Sequence, residues 1–306
     1  MRLSLFVAVA FVGLSTPSAR GEMVVLGYSS PIHDRYYPDD GTKAFLGDAY
    51  DWSGVGRTGG IGYWATMISD TYFISALHHH PADGDTITFF LTDIPGGASE
   101  TAIVESGAAI PGTDLWIGKL VTAPSTAVER YAILDLPSTS DFLGLTMFVA
   151  GKSGTADPEN MRLGRNVIED IDTVTVDATT ATAVFFDYDS PLVTGPYDSV
   201  GADEAMLVSG DSGGPNFVLT ADGLALVGIN WFVYTASDGS VGSGSSFIDE
   251  HLATITAAMA VGGEAPVSIT AVPEPATWIA CTAALAGAAM RRRFGARSDR
   301  RRAHAA

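Results

Sequence analysis

The chain contains a single cysteine, Cys281, and few cations, with 17 Lys and Arg against 35 Asp and Glu in 306 residues. One cysteine excludes an internal disulfide, so a compact body must be held by burial and hydrogen bonding alone. It also excludes cysteine-rich metal sites. Charged residues are only 17% of the chain, too few for a disordered polyelectrolyte. The 46% hydrophobic content and 34 glycines suit a globular body rich in strands and turns.

Charge is unevenly placed. Two Lys or Arg precede residue 22 and seven follow residue 272, which leaves eight cations against 33 acids between them, a net charge of −25. Such a surface disfavours nucleic acid and anionic membranes and favours solubility through self-repulsion.

Both ends carry address-like patterns. Arg2, the apolar run Leu3 to Leu14 and the small residues Ser15-Thr16-Pro17-Ser18-Ala19 have the layout of a secretory signal, expected over residues 1–21. At the other end Val272-Pro273-Glu274-Pro275 precedes the apolar run Ala276 to Met290 and then Arg291-Arg292-Arg293. Residues 276–290 fall short of the ~20 that span a bilayer comfortably, so the run suits a transient anchor with its arginines in the cytoplasm. The three-part tail, residues 273–306, resembles the PEP-CTERM sorting signals of Gram-negative bacteria. That resemblance implies an exosortase-type enzyme as partner, transient inner-membrane contact through 276–290, and a body delivered to the cell envelope or the exterior. The alternative is a permanent tail anchor, and both readings place the residues before 272 outside the cytoplasm.

Between the addresses, β-rich runs broken by Gly, Asp, Pro and Ser recur at 63–69, 72–77, 86–92, 130–136, 146–150, 173–176, 182–186, 216–220 and 224–234. Strands with this spacing and punctuation predict an all-β barrel or sandwich architecture. Ile248, Leu252, Ile255 and Met259 recur at helical spacing and predict one helix near the end, with Asp249 available as its cap. Residues 261–272, rich in Gly, Pro and small side chains, read as a linker.

One stretch carries chemistry on its face. In Gly210-Asp211-Ser212-Gly213-Gly214-Pro215 a serine is flanked by glycines that let the backbone turn sharply and approach a bound carbonyl. Such a turn aims the Gly210 and Ser212 amides at one point, where a tetrahedral oxyanion could sit. A serine hydroxyl needs a base, and the base needs an orienting carboxylate. The chain offers His33, His78, His79, His80, His251 and His304. Three consecutive histidines invite a metal reading, but neighbours on an extended strand face opposite ways and no Glu or Cys completes a ligand set. No metal and no cofactor are expected.

The serine motif resembles the nucleophile loop of chymotrypsin/trypsin-like serine proteases. Ser75-Ala76-Leu77-His78 is similar to the Thr-Ala-Ala-His segment of that family, and Asp114-Leu115-Trp116-Ile117-Gly118-Lys119-Leu120 to its Asp-Ile-Ala-Leu-Leu-Lys-Leu segment. The resemblance implies two antiparallel six-stranded β-barrels, over 22–125 and 126–260, with a C-terminal helix and the active site between them. It implies His78 as general base, Asp114 as its orienting acid and Ser212 as nucleophile, with an oxyanion hole of the Gly210 and Ser212 amides. His79 or His80 becomes the base if the register slips, and Asp93 is the fallback acid, although Ile94-Pro95 breaks the strand expected after it. The order His, Asp, Ser differs from that of subtilisin-like enzymes and of α/β-hydrolases. The serine also sits in a formal Gly-x-Ser-x-Gly pattern, but Pro215 starts no helix.

Leu226-Val227-Gly228-Ile229-Asn230-Trp231-Phe232 resembles the strand that pairs with substrate backbone, which places Asn230 and Trp231 along the binding strand. Phe232 falls where many relatives have glycine, and Met206 falls near the pocket floor without a negative charge. Together they imply small or apolar rather than basic residues at the cleaved position. Asp211 needs a partner if buried. No Ile-Val-Gly-Gly start is present to supply one, so Lys152, Arg162 and Arg165 are the candidates. The expected activity is that of an exported serine endopeptidase acting on peptide or protein substrates. The alternatives are a non-catalytic surface or matrix binding protein on the same scaffold, and an esterase.

Overall fold

The computed structural model describes residues 21–189, 199–237 and 239–270. Residues 1–20 of the signal-like segment and the sorting-like tail from 271 lie outside the described residues. Among the described residues no helix is long and apolar enough to cross a membrane.

The body is all-β and has the two-barrel arrangement of chymotrypsin-like folds. It opens with a short strand β1 (Val24–Val25) and a single helical turn α1 (Ser30–His33). Six strands then close a barrel: β2 (Val55–Thr58), β3 (Trp64–Met67), β4 (Tyr72–Ala76), β5 (Thr86–Phe90), β6 (Ser99–Ala109) and β7 (Leu115–Leu120). Closure leaves no free sheet edge. Alternation along β5 shows why these residues form strands here: Ile87 and Phe89 point inward and are fully buried, while Thr86 is exposed. They pack with Met67, Phe73, Val104 and Leu120 in the barrel interior.

The second half comprises β8 (Ala132–Leu134), β9 (Thr146–Gly151), β10 (Arg162–Val167), β11 (Asp170–Val176), β12 (Thr179–Asp187), β13 (Ala205–Met206), β14 (Pro215–Thr220), β15 (Gly223–Thr235) and β16 (Val241–Phe247). Its main ladder runs β10-β9-β14-β15-β16-β12-β11 and curls as a half-barrel. The family resemblance implied a second closed ring, whereas the ladder of the described residues ends at β10 and β11.

The predicted helix is present as α2 (Leu252–Ala260), with Ile255 and Met259 fully buried. Asp249 does not cap it. A 3-10 turn, Asp249–His251, intervenes, and the Asp249 carboxyl instead hydrogen-bonds Asp135.

Two terminal segments depart from the expected division. Residues 22–34 were expected in the first barrel but pack on the second half. There β1 pairs with β13, Asp34 bonds the Arg162 guanidinium at 2.8 Å, and His33 Nε2 lies 3.2 Å from Asp203. The reason is charge: Arg162 and Arg165 lie on β10, and the acids of the leading segment and of Asp203 neutralise them. Residues 264–270, expected within a linker, are docked. A final strand β17 (Ser268–Ile269) adds to β8, and the Glu264 carboxylate accepts hydrogen bonds from Ser69 Oγ (2.6 Å), Thr71 Oγ1 (2.6 Å) and Thr71 N (3.1 Å) on the β3–β4 turn.

Candidate active site

Strand register puts the first two site residues together. In the β4–β7 ladder Ala76 faces Leu115, so the chain positions immediately beyond, Leu77-His78 and Asp114, meet at the barrel's end. Leu77 N donates to Asp114 O at 2.7 Å, which fixes the two chains at that point. Thr113 sets the turn: its hydroxyl donates to Ile110 O and accepts from Leu115 N. The Asp114 carboxylate is then 3% exposed, with Oδ1 accepting the main-chain N–H of His78 at 3.1 Å and Oδ2 lying 2.6 Å from His78 Nδ1. The His78 side chain itself is 42% exposed.

The other candidates sit elsewhere. His79 packs edge-on against Tyr63, and His80 stacks on Trp116 at 4.3 Å with its Nδ1 bonded to Pro81 O. Asp93 is bonded to the buried Arg35 at 2.7 Å. Among the described residues no cluster of His, Cys, Asp or Glu is arranged to hold a metal.

The serine loop joins this corner through its backbone. Gly213 has φ +87°, and a Cβ there would lie 3.0 Å from Ser75 Oγ and 3.2 Å from His79 O, so the loop lies directly on the end of β4. Ser212 is half-buried beside it. Among the described residues no hydrogen bond joins the Ser212 hydroxyl to His78. In unliganded sites such bonds are often long and tighten only with substrate. Amide usage within the loop is selective. Asp211 N donates to Val208 O, Gly213 N to Asn230 O and Gly214 N to Asp211 O. The Gly210 and Ser212 amides donate to no protein acceptor among the described residues, and these are the two assigned to the oxyanion hole.

Asp211 is fully buried. Its Oδ1 accepts from Lys152 N and its Oδ2 from Val208 N, both at 2.7 Å. Burial pushes this carboxyl up to about 7, while those amides and the charges of Arg57 and Lys152 pull it down. Of the three expected partners only Lys152 contacts Asp211, and it does so through its main-chain N–H, while its Nζ lies 4.0 Å from Asp157. Arg162 is bonded to Asp34, Glu22 and Met23 O, and Arg165 to Asp203. Arg57, which sequence reasoning missed, reaches in from β2, pairs with Asp157 at 2.8 Å and lies over the Trp64 ring at 4.1 Å. A lone Arg in Val55–Thr58 carries no local signal for this role.

The expected substrate-binding residues divide. Phe232 is 5% exposed and packs against Phe185, Trp231 and Tyr234, with its ring directly over Gly244. Trp231, on the bulge of β15, joins the same cluster. Met206 pairs with Val24, beside the leading segment. Asn230 faces inward: both its main-chain groups bond the serine loop, and its side chain bonds Ala150 O and Asp211 O. Its polar groups serve the loop, not a ligand.

No family model matches this chain, and a search of curated proteins finds no significant relative.

Proposed function

We propose that the chain is a serine-type hydrolase of the trypsin-like kind, an exported endopeptidase that cleaves peptide bonds through an acyl-enzyme. The observation that carries this reading is the buried carboxylate gripping His78 beside a loop whose Gly210 and Ser212 amides are both unused. In the reaction His78 Nε2 takes the Ser212 proton as Oγ attacks the substrate carbonyl. Asp114 holds the Nδ1 proton and stabilises the imidazolium. The tetrahedral oxyanion lies against the two free amides. Collapse expels the amine, which takes the proton from His78, and water then repeats the sequence to release the acid and regenerate the serine.

Phe232 over Gly244 supports a preference for small or apolar residues at the cleaved position. The signal-like and PEP-CTERM-like ends support export with a transient inner-membrane anchor and processing by an exosortase-type enzyme. The test is covalent labelling of the full chain by a fluorophosphonate, with a peptide-library digest in parallel. Ser212-dependent labelling and cleavage, both lost in Ser212→Ala, are expected. No labelling of wild type refutes the hydrolase and leaves the non-catalytic surface or matrix binding protein. Ester turnover without amide turnover makes it an esterase.

A further inference from the structure

We propose that Asn230 is the positioning residue of the nucleophile loop, fixing the direction of the Ser212 amide and so holding the oxyanion donors in place. The proposal rests on the hydrolase reading above.

Asn230 lies on β15, fully buried, and all its polar atoms are engaged. Its main-chain oxygen accepts from Gly213 N at 3.0 Å, and its main-chain N–H donates to Gly214 O at 2.8 Å. Its side-chain Nδ2 donates to Ala150 O at 2.7 Å and to Asp211 O at 3.1 Å. Oδ1 accepts from Asn216 Nδ2 at 2.9 Å and Ser245 Oγ at 3.3 Å. Both carbonyls on one side can only accept, so the NH2 must face the loop. The carboxamide thereby refers the loop to β9, β14 and β16 at once.

The consequence follows from peptide geometry. In a planar trans peptide the C=O and N–H point in opposite directions. The Asp211 carbonyl is drawn inward by Asn230 Nδ2 and by Gly214 N at 3.0 Å. The N–H on that same plane belongs to Ser212, so it points away from the sheet interior. Without Nδ2 the carbonyl keeps one donor, and the plane is freer to swing. The last glycine of the motif has the same origin: a Cβ on Gly214 would sit 2.5 Å from Ala150 O and 2.8 Å from Asn230 Nδ2.

The experiment compares the full-length wild type, Ser212→Ala and Asn230→Leu on p-nitrophenyl acetate and its thiono analogue, with rates per site titrated by a fluorophosphonate. Sulfur accepts hydrogen bonds poorly, so intact oxyanion donors favour the oxo ester. For Asn230→Leu we expect kcat per site to fall about 100-fold with KM within about threefold, and the oxo-over-thiono preference to shrink about tenfold. A merely structural role lowers the number of titratable sites but leaves kcat per site and that preference unchanged, and this result overturns the proposal. If Asn230→Leu does not fold, Asn216→Leu decides. It removes a donor to Oδ1 but keeps Asn230, and about a tenfold loss of kcat per site is expected, with no change overturning the proposal. Absence of Ser212-dependent turnover in wild type overturns the hydrolase reading itself. Wild-type kcat per site and an unchanged oxo-over-thiono preference in Asn230→Leu overturn only the positioning role.

Discussion

Asp114→Asn keeps the side chain's shape and removes one acceptor and the charge. In the wild type Oδ1 accepts the His78 main-chain N–H at 3.1 Å while Oδ2 meets Nδ1 at 2.6 Å. A carboxamide has one oxygen for these two places. The main-chain N–H is a donor that no tautomer can change, so the new oxygen turns to it and the NH2 faces Nδ1. Two donors cannot face each other, so Nδ1 becomes an acceptor and the ring proton moves to Nε2. An imidazole with its proton on Nε2 cannot take another from Ser212. The expected loss in kcat is about 10⁴-fold, or about 5 kcal/mol of transition-state stabilisation, with KM nearly unchanged. Folding should be little affected, because the substitution is isosteric at a site 3% exposed and leaves no acceptor stranded without a donor. The assay is kcat and KM on a cleaved peptide at pH 7, per titrated site, with the urea midpoint of each protein. Activity within tenfold of wild type in a folded variant refutes the assigned roles of Asp114 and His78.

Other outcomes follow from the carboxyls outside the site. Glu264→Ala removes an acceptor for three hydrogen bonds to the β3–β4 turn, and a loss of about 2–3 kcal/mol is expected after allowance for solvent around this part-exposed group, read as a lower urea midpoint. Burial raises the Glu264 pKa, but the Ser69 and Thr71 hydroxyls outweigh it and hold the group below its usual 4.5. Its contribution is therefore present above that value and fades as pH falls through the lowered one, so wild type and Glu264→Ala should converge in acid. Asp249 has the opposite sign. Burial first, then the charge and hydrogen bond of Asp135, push its carboxyl to about 6 from 3.8. The proton-bound pair stabilises the fold fully below 3.8, and that contribution is lost as pH rises through about 6. Asp249→Asn should therefore be more stable than wild type by about 1 kcal/mol at pH 7.5, after discounting for partial exposure, and should match it at pH 4. A gain that persists at pH 4 rules out the carboxyl pair as its source.

Strands rich in apolar, β-branched and aromatic residues were legible in the sequence, because composition and burial agree in them: 72–77 against Tyr72–Ala76, 86–92 against Thr86–Phe90, and 224–234 against Gly223–Thr235. Val241–Phe247 was not, since Gly and Ser carry no strand signal. It is a strand because its neighbours provide the bulk, with Phe232 lying over Gly244 and Tyr234 over Gly242. The same limit applies at the site. His78 and Asp114 sit in local motifs that set their own register, so they could be named from sequence. Asn216, Ser245 and Arg57 act through partners 14 to 103 residues away, and nothing in their local sequence marks them, while Asn230 was marked by its motif but for substrate binding and not for its bonds to the serine loop. Arg162 and Arg165 were candidates for Asp211 on charge alone, but Glu22 and Asp34 of the leading segment hold Arg162 and Asp203 holds Arg165.

The serine loop belongs to the second half and the His78–Asp114 pair to the first barrel, so the site exists only while the two halves keep their register. A disulfide could fix that register, but the only cysteine, Cys281, lies in the tail. Each terminal segment instead crosses the divide. The leading one binds β10 through Asp34 and Glu22 on Arg162, then continues to Arg35, which donates to Trp52 O and to Phe90 O at the end of β5. The trailing one leaves α2, grips the β3–β4 turn through Glu264 and returns to pair with β8. That turn connects β3 to the strand that ends at Ser75 and Ala76, against which Gly213 rests. A clamp on one end of β4 and the nucleophile loop on the other therefore constrain the same strand. Loosening Glu264 should then cost activity per folded molecule as well as stability, and a Glu264→Ala protein with full kcat per titrated site would show that the halves keep their register without it.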